Sequence, residues 1–258
     1  MYISSPKVTR LFAVLAIVFV GNALLAEFIG VKIFALEPTM GMPSLQWTLF
    51  GFKSTLNFTT GVIIWPIVFV LTDILNEYYG HKGVRFLSVL TALFIAYAFG
   101  VMYLAIRVTP ADFWLGSNVD NGVPDMQNAY KAILGQGQRI IIGSLTAFLL
   151  GQLIDAAIFR RVKKITGEQH LYLRSTVSTF FSQCIDSYVV LYIAFVYGLP
   201  QGQAWTMNMF WAIGTINFLY KIAAAILLIP VIYIVHIAIE KYLGKELASQ
   251  LKKEAMHE

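Results

Sequence analysis

The stretch FTTGVIIWPIVFVLTDILNEYY, residues 58–79, decides how the chain is read. Its 22 residues hold only two charged side chains, Asp73 and Glu77. At about 1.5 Å of rise per residue, a helix of this length crosses the ~30 Å hydrocarbon core of a bilayer. Asp73, Asn76, Glu77 and the following Gly80 stand at i, i+3, i+4 and i+7. A helix therefore gathers them on one stripe, together with Phe69 and Pro66. Measured back from Arg85, Asp73 lies about 18 Å into the membrane, near its midplane. A charge at that depth costs about 2.5–3.5 kcal/mol on insertion scales, so it turns towards the interior of a bundle and marks a pathway or site.

Working outward, five more runs have the length and apolarity of a span: residues 11–36, 86–106, 140–159, 175–197 and 212–239, the last lying in a stretch, 205–242, long enough to begin with a short interfacial helix or to kink at Pro230. The composition agrees, because 58% hydrophobic and 13% charged residues leave too little polar surface to coat a soluble globule. The first run follows Lys7 and Arg10, as a signal peptide would, but it is too long for an h-region and reads as an uncleaved span. The expected fold is a single polytopic, all-α membrane domain over residues 1–258 with six transmembrane helices.

Charge orients it. With six spans, thirteen Lys and Arg residues share one side: Lys7, Arg10, Lys82, Arg85, Arg160, Arg161, Lys163, Lys164, Arg174, Lys241, Lys245, Lys252 and Lys253. The other side holds Lys32, Lys53, Arg107, Lys131 and Arg139, and none near Pro200. The positive-inside rule then puts both termini in the cytoplasm, with Trp47, Trp114 and Trp205 as outer interfacial anchors. Because the basic residues cluster between apolar runs, the net charge of +5 points to a membrane and not to nucleic acid. Cys184 stands alone, and His81, His170, His236 and His257 lack metal-ligand spacing, so no metal or other cofactor is expected. Two outer connections are longer. Residues 37–57 alternate through Leu45, Trp47 and Leu49 before Gly51 and suit a small hairpin or lid; residues 108–138 suit a loop with one short helix around Tyr130.

The fourth and fifth spans carry an echo, Gln152-Leu-Ile-Asp155 and Gln183-Cys-Ile-Asp186, each placing an amide and a carboxylate on one helix face. Their neighbours on those faces are small: Ser144 and Gly151, then Ser175, Ser178 and Ser182. Small residues explain a packing seam, but a seam does not require two aspartates. The first span adds Asn22 and Glu27, and the sixth adds Asn217, Tyr220 and Lys221. Glu27 and Lys221 are about 25 Å and 30 Å from the cytoplasmic clusters, which predicts a salt bridge or a shared substrate contact between them. The candidate substrate-binding residues are thus Asn22, Glu27, Asp73, Asn76, Glu77, Gln152, Asp155, Gln183, Asp186, Tyr220 and Lys221. Together they suit a flat, polar molecule, uncharged or weakly cationic, with Phe69, Phe180, Phe181 and Tyr220 available to stack on a ring.

The run Trp65-Pro66-Ile-Val-Phe-Val-Leu-Thr72-Asp73-Ile-Leu-Asn76-Glu77-Tyr-Tyr79-Gly80 resembles the second-helix signature of the queuosine precursor transporter family, formerly called the vitamin uptake transporter family. Further matches are residues 22–32, Gln152 to Asp155 with the basic run 160–164, Leu173-Arg174 leading to Ser182, Gln183 and Asp186, and Tyr220-Lys221 with Pro230. The resemblance covers about residues 11–242. It implies import of the 7-deazapurine precursors 7-cyano-7-deazaguanine and 7-aminomethyl-7-deazaguanine across a bacterial inner membrane. It also implies a likeness to the six-helix substrate-capture subunits of energy-coupling-factor transporters. No nucleotide-binding loop is present, so the chain would act alone, as a homo-oligomer, or with a separate ATPase module. The rival from another class, an intramembrane aspartyl-type enzyme built on Asp73, Asp155 and Asp186, lacks the Gly-x-Gly-Asp and Gly-x-Ser-Gly signatures; no enzymatic activity is expected.

Overall fold

The computed structural model describes residues 5–135, 138–166, 171–199 and 202–257. Pro200, His170 and the side chains of Arg139 and His257 lie outside the described residues. Helix α1 spans Pro6–Ile29, with proline at its first turn where the missing N–H costs nothing. It stops well short of residue 36. After Gly30 the chain enters a short strand, β1 (Ile33–Ala35), and a single turn, α2 (Leu36–Thr39). Strands β2 (Trp47–Leu49) and β3 (Phe52–Ser54) pair antiparallel across Phe50 and Gly51, whose φ values of 50° and 76° make the two-residue turn favoured in hairpins. Strand β4 (Asn57–Thr59) then pairs with β1, Ile33 opposite Thr59, and closes the base of the loop. The hairpin expected from the alternation is present. Residues 58–64, expected in the second span, are instead strand and a 3-10 turn, because Gly61 presses against the end of α1; a Cβ there would meet the Ala26 carbonyl oxygen at 2.7 Å.

Helix α3 runs over Trp65–Arg107, 43 residues, interrupted at Gly80 with φ 66° and ψ −178°. That conformation is essentially restricted to glycine. Aromatic contacts show what the break does. Tyr79 stacks edge-on with Phe12 at 5.0 Å and donates to the Val8 carbonyl, both near the start of α1, whereas Phe99 meets Phe28 near its end at 6.1 Å. The arms on either side of Gly80 therefore run in opposite directions along α1. This corrects two expectations: the second arm begins at 81, not 86, and Asp73 lies seven residues from the reversal. Its distance from that turn is about 10 Å, not the 18 Å counted from Arg85 through an unbroken helix.

Two short helices, α4 (Asp112–Leu115) and α5 (Met126–Leu134), occupy the next connection, with Asp125 capping α5 by accepting from Asn128 N at 2.9 Å. Tyr130 sits in α5, as expected. Helix α6 (Gln138–Thr166) extends beyond the expected 140–159 at both ends, and α7 (Leu171–Phe195) begins four residues before the expected 175–197 and ends two residues short of it. Helix α8 (Met207–Leu227) is followed, after Leu228, by α9 (Ile229–Leu243), with Pro230 in the first turn of α9. Proline cannot donate into the preceding turn, so the break falls where the sequence placed it. A last helix, α10 (Lys245–His257), was not foreseen; it buries Ala248, Leu251 and Ala255.

Among the described residues five helices, α1, α3, α6, α7 and α8, are long and apolar enough to cross a membrane, α3 being long enough to do so twice. The molecule is an all-α, multi-pass membrane protein. Its lipid-compatible exterior exposes Ile17, Leu93, Leu104, Leu227 and Ile237, while Glu77, Asp155, Gln152 and Gln183 are buried inside. This inside-out polarity is what places the functional groups at the centre of the bundle.

Candidate functional site

Helices α6 and α7 are antiparallel neighbours in close contact, and glycine makes the approach feasible: a Cβ at Gly143 would lie 3.0 Å from the Val190 carbonyl oxygen. The sequence echo becomes reciprocal here. Asp155 on α6 accepts from Ser182 on α7 at 3.1 Å, and Asp186 on α7 lies against Gly151 on α6, 3.5 Å from where its Cβ would be. Each aspartate thus faces the small residue that immediately precedes the other helix's glutamine. A local two-fold relation follows from antiparallel packing of two similar faces.

The first arm of α3 lies against this pair. Thr72 donates to Gln152 Oε1 at 2.8 Å and Asn76 to the Ala156 carbonyl at 3.3 Å. Ser175 Oγ donates to Asp73 Oδ2. One turn towards the Gly80 reversal, Glu77 is clamped by two cations: Arg174 Nη2 approaches Oε1 at 2.7 Å, and Lys163 Nζ approaches Oε2 at 3.2 Å and the Glu77 carbonyl at 2.6 Å. Arg174 is 1% and Lys163 2% exposed. Both had been counted as cytoplasmic loop charges. Their burial is the main functional feature missed from sequence, and its one available signal was Leu173-Arg174 in the family resemblance.

At the other end, Lys221 Nζ pairs with Asp186 Oδ2, and Glu27 accepts from Ser144 Oγ. The expected Glu27–Lys221 bridge is not formed. Their depths were compatible, but Asp186 sits on the helix that packs directly against α8 and wins the contact. Asn22 bonds within its own helix, to the Val18 carbonyl at 2.8 Å, and Tyr220 packs its ring on Phe58 at 4.5 Å. Phe180 and Phe181 are 45% and 50% exposed, so Phe181 in particular faces outward and does not stack on an interior ring.

Between these layers lies a narrow, partly open pocket lined by Trp65, Pro66, Phe69, Asp73, Ser175, Thr179 and Lys221 among others. Trp65 and Phe69, 6.1 Å apart, supply aromatic walls. Several buried polar atoms have no protein partner: Asp73 Oδ1, Gln152 Nε2, Asp155 Oδ2, and both Oε1 and Nε2 of Gln183. Unsatisfied groups of this kind are costly unless something else binds them. Among the described residues no cluster of His, Cys, Asp and Glu has a metal-binding arrangement. The chemistry available is recognition by hydrogen bonds and stacking.

Comparison with known proteins agrees with this picture. Residues 59–235 match a family model described as "Putative vitamin uptake transporter". The chain is 30% identical, over 72% of both chains, to a protein of Bacillus subtilis named "Probable queuosine precursor transporter". It is 27% identical to the Escherichia coli protein named "Queuosine precursor transporter", over 58% of this chain and 59% of that one. A Haemophilus influenzae protein with the same name as the Bacillus relative is 24% identical over 72% of each chain. No solved structure matches. A match across more than half of the chain, together with these relatives, places it among transporters and not enzymes: the chain belongs to the queuosine precursor transporter family, also known as the vitamin uptake transporter family.

Proposed function

We propose that this protein imports queuosine precursors, 7-cyano-7-deazaguanine, 7-aminomethyl-7-deazaguanine or both, across a bacterial inner membrane. The observation that carries the proposal is Asp73 Oδ1, a buried carboxylate oxygen with no protein partner at a pocket walled by Trp65 and Phe69. A guanine-like ring presents adjacent N–H donors that suit a carboxylate, and its faces suit aromatic walls. Gln152, Asp155 and Gln183 offer further unpaired donors and acceptors deeper in the bundle, and Lys221, paired with Asp186, borders the pocket. The proposal extends to Asn76 and Glu77 on the same stripe of α3 as Asp73, and to Asn22 and Glu27 on α1 and Tyr220 on α8, as further substrate contacts.

The proposal includes one membrane domain with six crossings, both termini cytoplasmic, and a likeness to energy-coupling-factor capture subunits. The reversal at Gly80 supports it by dividing α3 into two crossings, as does the bias of Lys and Arg towards one side. Expression in cells unable to make queuosine precursors, supplied with each precursor at low concentration, tests the function through queuosine in tRNA. Restoration without any partner ATPase supports a self-sufficient importer. Membrane-inserted protein that restores queuosine with no deazapurine refutes the reading.

A further inference from the structure

The pocket is lined by charges of both signs. Its charged lining residues are Asp73 on α3 and Lys221 on α8, and they differ in how they are neutralised. Asp73 receives a hydrogen bond from Ser175, which leaves Oδ1 open. Lys221 lines the pocket while one of its three N–H donors is directed at Asp186, which does not line it. Asp73 is held against Ser175 and Lys221 against Asp186, eleven residues further along α7 or about 16 Å of helical rise, so a ligand that reaches both meets an acceptor and, further along, a cation with spare donors. Thr179 and Ser175 add small hydroxyls to the lining, and Val62, Val70, Ala225 and Ile232 contribute no charge.

We propose that Lys221 is a specificity determinant that selects substrates whose end distal to the donor edge is a neutral hydrogen-bond acceptor, and rejects those carrying an ammonium there. The inference rests on the functional reading above. When the amide–amidine edge of a deazaguanine ring engages Asp73, the substituent on the five-membered ring is carried to the opposite side of the bicycle, towards Lys221. A nitrile accepts a hydrogen bond from the lysine ammonium. An aminomethyl group is itself an ammonium at neutral pH, and two like charges in a desolvated pocket repel strongly. Asp186 moderates this repulsion by holding part of the lysine charge, so it sets how strict the selection is.

The test is the ratio of initial uptake rates for 7-cyano- and 7-aminomethyl-7-deazaguanine in the same cells, a quantity independent of expression level. The expected ratio favours the nitrile by about tenfold or more in the unaltered protein. Lys221→Gln keeps a donor but removes the charge, and the ratio is expected to fall towards one. Asp186→Asn leaves Lys221 uncompensated, and the ratio is expected to rise. Preference of the unaltered protein for the aminomethyl compound overturns the proposal whatever the variants do. So does a Lys221→Gln ratio equal to that of the unaltered protein, or an Asp186→Asn ratio that falls. Absence of uptake of both compounds by the unaltered protein overturns instead the functional reading on which the proposal stands.

Discussion

Replacing Glu77 by glutamine tests the buried clamp most directly. Glu77 is the one carboxylate that the structure pairs with both Arg174 and Lys163, whose side chains are 1% and 2% exposed. Glu77→Gln keeps the shape and one acceptor oxygen but removes the carboxylate charge that the two buried cations share. Breaking a buried pair from one side costs about 3–5 kcal/mol, because the remaining charge is desolvated and unpaired. For a chain of this size each kcal/mol lowers the melting temperature by about 2–4 °C, so a drop of about 6–20 °C is expected. Lys163→Met should cost much less. It removes the longer 3.2 Å contact and leaves Glu77 balanced by Arg174 at 2.7 Å. Arg174→Met should fall between them. The assay is thermal unfolding of purified protein in one detergent, followed by loss of the monodisperse elution peak. A Glu77→Gln protein melting within about 2 °C of the unaltered one, or a Lys163→Met protein melting below it, refutes the clamp.

Three further outcomes are expected. Asp73→Asn should insert and melt normally but lose about 10- to 150-fold in apparent affinity for the precursor, the worth of a charged hydrogen bond, when uptake is measured against concentration. Gly80→Ala should destabilise by about 1–3 kcal/mol, since φ 66° with ψ −178° excludes a Cβ, and an unchanged melting curve would rule out the reversal at that residue. Gly214→Ala should cost about 1–3 kcal/mol because its Cβ would stand 2.5 Å from the Tyr188 ring, and Tyr188→Leu in the same chain should recover most of the loss.

Much of this protein was readable before any fold was known. The apolar runs located every long helix, Pro230 located the break between α8 and α9, and the alternation before Gly51 located the hairpin. The polar positions on the second span and the Gln/Asp echo identified residues that are buried at the bundle centre. These are local properties. Helix period and the cost of placing a charge in hydrocarbon act on each segment by itself, so one sequence suffices to read them. The ends of helices were less legible, because residues 30–36 and 58–64 are apolar enough to continue a span and are pulled into strands and a tight turn by each other.

Choice of partner was not legible at all. Lys163 and Arg174 look like loop charges until α6 and α7 extend past the expected ends and bring them to Glu77. Lys221 and Glu27 share a depth, yet the rotation of α7 presents Asp186 to the lysine and leaves Glu27 to Ser144. Sequence determines depth and periodicity, which are distances along a helix axis. Which side chains meet depends on the rotation of each helix about that axis and on the order in which helices pack, and those are settled only when all the faces are buried together.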